Sequence, residues 1–408
     1  MKISLSKYTS LNINLRIFTF LLIIIQSCGI RFFDGQGTVL ALVILTLSYN
    51  GFKYYTQKNV LITLGIFLLL FLIKILNPLS FDINKLIFQL ILILEAYVFL
   101  LQYKNQYSWK ILSDFYDALK IIFLHALLSY LLYLLLPFLY TETQQFGYPY
   151  RSFLNIFYVT NDDVPRNIGL LWEPGLLQLM LNLFLFIAIQ KDKPIITLFI
   201  IVLVIFSTIS TTGFLGLAIN YLFYIVSNYK TKKQNVFILI LLPILFSGSL
   251  YFIWDNIADK MGGENTSGLV RYRDFLIGMD LIREKPLFGH GLFESSYLLS
   301  KSSIGFIEAN IFSNEYLDIS GDMGGGYTNG LLAIFCWYGI PLGLLIFYGF
   351  YKNKIIYSTG FKRLCFSLIL LFTFISEPIT YTAFFFLFPF SCFILNSGRN
   401  DLNKPINE

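Results

Sequence analysis

Charge is scarce in this chain. Only 13% of its 408 residues are Asp, Glu, Lys or Arg, while 56% are hydrophobic; a soluble domain carries roughly a quarter charged residues. That excludes a water-soluble globular fold. Histidine is scarcer still, with His125 and His290 the two in the sequence, so imidazole chemistry is confined to two positions. The four cysteines, Cys28, Cys336, Cys365 and Cys392, all lie in apolar runs without a CxxC spacing, which excludes both a disulfide framework and a zinc site. No other metal site and no cofactor site is expected. There is no internal repeat, so the signature of an inverted-repeat transporter is missing. The formal charge of +6 carries no nucleic-acid signal, because surplus Lys and Arg in a membrane chain serve to fix orientation.

What the chain has in abundance is apolar windows long enough to cross a bilayer, about 17–25 residues each. They fall near 13–30, 36–52, 59–77, 84–103, 117–139, 168–190, 194–209, 211–228, 235–254, 326–350, 361–377 and 379–397. The expected fold is therefore all-α: one polytopic membrane domain over 1–408 with about twelve transmembrane helices. The first window, ending Gln26-Ser27-Cys28, mimics a lipoprotein cleavage site, but Gln26 fits that role poorly and a retained helix is expected.

Charge counting orients these windows. With the amino terminus inside, the inner segments hold Lys2, Lys7, Arg16, Lys53, Lys58, Lys104, Lys110, Lys120, Lys191, Lys193, Lys230, Lys232, Lys233, Lys352, Lys354, Lys362, Arg363, Arg399 and Lys404. The short outer segments hold Arg31, Lys74, Lys85, Arg151 and Arg166. Nineteen against five puts both termini in the cytoplasm. It leaves 140–167 and a large loop, 255–325 between the ninth and tenth spans, outside.

Four motifs in these outer segments could carry chemistry. In Arg166-Asn167-Ile168-Gly169-Leu170-Leu171-Trp172-Glu173-Pro174, proline suits the first helical turn, which puts Glu173 at the helix start in the outer leaflet. A carboxylate there is costly unless paired or functional; the structural alternative is a helix cap paired with Arg166. In the large loop, Leu269, Tyr272, Leu276, Met279 and Ile282 recur at three- and four-residue spacing, an amphipathic helix. Lying on the membrane surface, it would bring Arg271 and Arg273 to lipid headgroups, where guanidinium groups grip phosphate bidentately. Alternatively it packs on the protein with its arginines paired to Asp274 or Asp280. In Lys285-Pro286-Leu287-Phe288-Gly289-His290-Gly291, the glycines permit a tight turn that exposes His290 as a base or phosphate partner. Gly324-Gly325-Gly326-Tyr327-Thr328-Asn329-Gly330 enters the tenth span, and Ser210-Thr211-Thr212-Gly213 the eighth; both read as close helix packing or as hydrogen-bonding groups for sugar. Mid-span, His125 reads as a packing residue. Lys74 and Glu95 read as snorkelling or as a structural pair.

Taken in order, these motifs resemble the bacterial O-antigen polymerase and O-antigen ligase superfamily. The resemblance covers the chain from about residue 140 and rests on Arg166…Glu173-Pro174, the Ser-Thr-Thr-Gly turn, the Arg271 helix running into Pro286–Gly291, and Asn329 followed by Trp337-Tyr338-Gly339-Ile340. It implies a multi-pass inner-membrane glycosyltransferase of lipopolysaccharide biosynthesis, acting at the periplasmic face on undecaprenyl-diphosphate-linked oligosaccharide. It further implies metal-independent, inverting transfer, membrane lipids as surroundings and a chain-length regulator protein as partner. Arg166 and Arg271, with Arg273, Thr328 and Asn329, would hold the diphosphate and substrate. Ligases typically carry a His-Asn pair where this chain has Thr328-Asn329. That departure favours a polymerase, with Glu173 or else His290 as base. A lipid-linked oligosaccharide flippase, the reading from another class, would spread its charges across both leaflets, whereas here the paired charges are external.

Overall fold

Runs of Leu, Ile and Phe several helical turns long cannot leave backbone polar groups unpaired in an apolar setting, and an α-helix satisfies them within the run. The computed structural model of the chain follows that rule. It describes residues 6–54, 56–75, 83–104, 108–145, 148–228, 266–291, 329–356, 360–377 and 379–395. Among these, thirteen α-helices make the chain mostly helical: α1 Ser6–Cys28, α2 Gln36–Leu47, α3 Tyr49–Phe52, α4 Gln57–Ile75, α5 Ile83–Leu101, α6 Ser108–Leu135, α7 Pro174–Gln190, α8 Ile195–Phe206, α9 Thr211–Asn228, α10 Thr266–Glu284, α11 Gly330–Tyr351, α12 Phe361–Ser376 and α13 Ala383–Ile394. Eleven of the twelve apolar windows hold helix, while 235–254 lies outside the described residues. Among the described residues, two helices, Lys110–Leu135 within α6 and Gly330–Tyr351, are long and apolar enough to cross a membrane.

α7 forms the centre. It is buried from Pro174 to Ile189, as a helix apolar almost all round must be, and α6, α8, α9 and α12 surround it. Its two buried polar residues, Gln178 and Asn182, are spaced i,i+4 and join it to its neighbours. Asn182 Nδ2 donates to the Gln178 side chain at 3.0 Å and to the Gly213 carbonyl at 3.1 Å, and Asn220 Nδ2 donates to Asn182 Oδ1 at 3.0 Å. Gln178 Nε2 reaches Thr212 Oγ1 of α9 at 3.1 Å and Thr373 Oγ1 of α12 at 3.3 Å. The Ser-Thr-Thr-Gly turn therefore serves helix packing. Facing outward, Leu61, Leu64, Leu68 and Leu72 of α4, Leu124, Leu128, Leu131 and Leu135 of α6, and Leu344, Leu345 and Tyr348 of α11 are exposed. Stripes of that extent mark an interacting apolar surface, as a bilayer-facing one would be.

The all-α expectation is corrected in the segment 140–169. Here β1 Thr141–Gln145, β2 Tyr148–Phe153, β3 Phe157–Thr160 and β4 Asn167–Gly169 form one antiparallel sheet in the order β1-β2-β3-β4. Its Thr, Tyr, Phe and Val content suits a pleated, half-buried surface. Tyr150, Tyr158 and Ile168 gather around Ile30, with Trp172 against them. Because 167–169 is strand, the helix expected from 168 begins at Pro174. The connection after α12 is also longer than the sequence indicates, running to Ala383, because a residue before proline is pushed out of helical geometry. Glu377, which precedes Pro378, is extended at φ −129, ψ 132.

Candidate active site where helix ends converge

The segment Arg166–Glu173 is a strap leading from the sheet into α7. Asn167, fully buried, fastens it: its main-chain N–H donates to the Ser207 carbonyl at 2.9 Å, and its Nδ2 to the Ala126 carbonyl at 3.1 Å and Ser207 Oγ at 2.9 Å. The strap then crosses the end of α1, where Ile30 N–H donates to the Leu170 carbonyl at 3.0 Å and Trp172 N–H to the Cys28 carbonyl at 3.2 Å. Tyr150 Oη donates to the Trp172 carbonyl at 2.7 Å.

Glu173 arrives as the N-cap of α7 in extended geometry, φ −147 and ψ 143, followed by Pro174 at the first helical position, as the sequence implies. Its main-chain carbonyl accepts from the N–H groups of Leu176 and Leu177, both at 3.2 Å. Its carboxylate makes no cap hydrogen bond and is half-buried. The structural alternative, a cap paired with Arg166, is not what forms. Arg166 Nε lies 2.7 Å from Asp162 Oδ2, in a half-exposed pair on the turn between β3 and β4. The main chain of Arg166 is held by Thr160, whose Oγ1 accepts its N–H at 2.8 Å. A guanidinium has five N–H donors, so the Asp162 bond leaves the terminal amino groups for a second anion.

Arg271 and Arg273 lie on α10, and the helix expected there is present; the placement of their side chains lies outside the described residues, as does Thr328. α10 packs on α11, with Ile277 and Leu281 buried, Gly278 against Leu332 and Cys336, and Phe275 and Met279 exposed. Asn329 is the N-cap of α11, its Oδ1 accepting from Leu332 N–H at 3.1 Å.

His290 is the clearest correction: expected to be exposed, it is 3% exposed. The turn carrying it docks into a break in α11 at Gly339, φ 76 and ψ 171. In a continuous helix the Cys336 and Trp337 carbonyls would accept from residues 340 and 341. Pro341 has no N–H to give, and Ile340 N–H turns instead to the Pro286 carbonyl at 2.7 Å. His290 and Gly291 N–H fill the two vacancies, on Cys336 at 2.7 Å and Trp337 at 3.1 Å. The imidazole Nε2 sits 2.9 Å from the Leu281 carbonyl and 3.7 Å from Glu284 Oε2. Burial pushes its pKa below the ordinary histidine value, against the opposing pull of the Leu281 carbonyl and Glu284. A histidine held this way is a structural pin.

A group whose folded pKa is lowered contributes stability above its unfolded pKa of about 6.5 and loses it as pH falls below that value. Thermal melts at pH 7.5 and 5.5 should therefore differ more for the wild type than for His290→Gln. Equal pH dependence in the two proteins would contradict the pin.

Sequence reasoning missed Glu377, which is 5% exposed at the end of α12. Its carboxylate lies against Gly175, and the same turn holds the start of α11 through Thr380 Oγ1, which donates to the Gly330 carbonyl at 3.0 Å. The available signal was a second Glu-Pro pair, Glu377-Pro378, at a helix boundary. The site thus gathers the strap, the starts of α7 and α11, and the turn after α12. Two other expected residues lie apart from it: buried Glu95 accepts from Gln26 Nε2 at 3.2 Å, and His125 stacks on Phe157 with ring centres 5.2 Å apart.

Residues 196–347 match the family model described as O-Antigen ligase, which supports the superfamily read from the sequence and spans α8 to most of α11. That family covers ligases and polymerases, glycosyltransferase-like enzymes acting on lipid-linked sugars. With the apolar helices, it points to an integral membrane protein. No curated protein matches the chain.

Proposed function

We propose that the chain, as a member of the O-antigen polymerase and ligase superfamily, is a polymerase. It transfers a growing polyprenyl-diphosphate-linked glycan onto the sugar of a lipid-linked repeat unit. It sits, on this proposal, in the inner membrane with about twelve spans, both termini cytoplasmic, and the site and the loop 255–325 periplasmic. The observation that carries it is Glu173: a half-buried carboxylate at the start of α7, with no cap bond of its own, seven residues beyond Arg166 on one fastened strap.

In the proposed reaction the acceptor hydroxyl oxygen attacks the donor's anomeric carbon from the face opposite the leaving group, and the configuration inverts. The carbon–oxygen bond to the diphosphate breaks, and the bonding pair leaves with it as polyprenyl diphosphate. The hydroxyl proton passes to Glu173. Arg166 and Arg271 hold the diphosphate, with Arg273, Thr328 and Asn329 beside them. Negative charge grows on the leaving group, and fixed guanidinium groups stabilise it with little reorganisation. No metal is required, and a chain-length regulator acts as a separate partner.

Arg166→Ala and Arg271→Ala are each expected to abolish long-chain polysaccharide while membrane insertion persists. Normal polymer ladders from both variants at normal expression would refute the assignment. A second reading, ligation of finished glycan to lipid A-core, is favoured by the description of the matching family. The two differ in what a null strain accumulates: a ligase null still builds lipid-linked polymer, whereas a polymerase null stops at single repeat units. Purified protein incubated with the lipid-linked repeat unit alone, with and without EDTA, should give a ladder in both conditions.

A further inference from the structure

We propose that Glu377 is a positioning residue for this transfer: its carboxylate supplies the anion at the start of α7, leaving the Glu173 carboxylate for the acceptor. The inference rests on the reading of Glu173 as the base.

A helix start carries partial positive charge and unpaired N–H groups that favour an adjacent anion. An acidic N-cap residue ordinarily provides one. Glu173 occupies that position, yet its side chain makes no cap bond, and its main-chain carbonyl alone accepts from Leu176 and Leu177. A second carboxylate reaches this start from the turn after α12. A Cβ built on Gly175, the second residue of α7, would strike Glu377 Oε1 and lie 2.8 Å from Glu377 Cδ, so the carboxylate rests directly on that α-carbon. Glycine is what allows the approach.

The geometry of Glu377 is itself fixed. It is 5% exposed, its backbone is extended as the following proline requires, and its N–H donates to the Thr373 carbonyl at 2.8 Å. A buried carboxylate is costly without compensating partners, and a helix start is one such partner. The same turn governs α11: a Cβ on Gly330 would meet the Glu377 carbonyl at 3.0 Å, and Thr380 Oγ1 donates to the Gly330 carbonyl. One short connection therefore sets Glu173 relative to Asn329.

The test uses the full-length protein in lipid nanodiscs with the lipid-linked repeat unit, measuring kcat and KM. Glu377→Gln is expected to lower kcat by about tenfold or more, within the range that misplacing a catalytic group costs, with KM changed less than about twofold. Gly175→Ala should do the same, because its methyl displaces the carboxylate while keeping both acids. In a Glu173→Gln background neither substitution should lower the residual rate further. A purely structural residue would reduce the amount of folded protein and act regardless of that background.

Full kcat in Glu377→Gln, or losses that multiply with those of Glu173→Gln, would overturn the proposal while leaving the polymerase reading intact. A wild type that forms no polymer would overturn both.

Discussion

Glu173→Gln is expected to stay folded and membrane-inserted while losing about 10²–10⁴-fold in polymerisation rate, the range that a general base contributes. The substitution suits the geometry. The start of α7 depends on the main-chain carbonyl of residue 173, which accepts from Leu176 and Leu177, and on Pro174 beyond it. A glutamine of nearly equal shape retains both and removes only the charge and the proton-accepting oxygen. Were Glu173 simply a helix cap, the change would cost at most about 2 kcal/mol of stability and leave the rate untouched. The measurement is an initial rate on purified protein beside its melting temperature. A rate near wild type, whatever the melt, would remove Glu173 from the chemistry. His290 offers no substitute, because its ring is buried against Leu281 and its main chain is committed to the break in α11.

The contrast between Glu173 and His290 shows what was legible in the sequence. Glu173 was read correctly at its helix start because the signal is local: proline tolerates the first helical turn and little else in a helix. The helices themselves were legible for a similar reason, since long apolar runs leave the backbone few alternatives. His290 was misread because its environment is non-local. Its turn is buried only because Gly339 and Pro341 interrupt a distant helix and leave two carbonyls to be met. The sheet over 141–169 escaped notice because its strands are short and mix Tyr and Phe with Thr, Gln and Arg, giving no clean alternation. Glu377 was hidden in the same way as His290, since its role depends on a glycine of α7. Arg166 shows the intermediate case: its place on the strap is legible, but its ion pair with Asp162, four residues back, is not signalled by the motif around Glu173.

The second large effect concerns that interrupted helix. Gly339→Ala is expected to destabilise the protein by about 4 kcal/mol or more, enough to class it among the exceptional single substitutions. Two costs combine. At φ 76 and ψ 171 the backbone lies in a region open essentially to glycine alone, and forcing another residue there costs about 1–3 kcal/mol. The added Cβ would also strike the Leu287 carbonyl oxygen and lie 2.8 Å from Phe288 N; these are main-chain atoms that cannot swing aside. Moving them strains the three hydrogen bonds linking Pro286, His290 and Gly291 to α11, each worth about 1 kcal/mol. Gly289→Ala should behave alike, since its Cβ would stand 2.5 Å from the Trp337 carbonyl carbon and oxygen at φ 65. Gly65→Ala is the control: nothing lies within 4 Å of its Cβ position on α4, so it should be neutral or slightly stabilising. Melting of detergent-solubilised protein distinguishes these outcomes, and a Gly339→Ala protein melting with the wild type would show that the interlock contributes nothing. The consequence reaches the site as well. Together with the packing of Gly278 on Leu332 and Cys336, the interlock ties α10, the helix bearing Arg271, to α11, whose N-cap is Asn329. Variants that loosen it without unfolding the chain should therefore lose polymer formation before they lose membrane insertion.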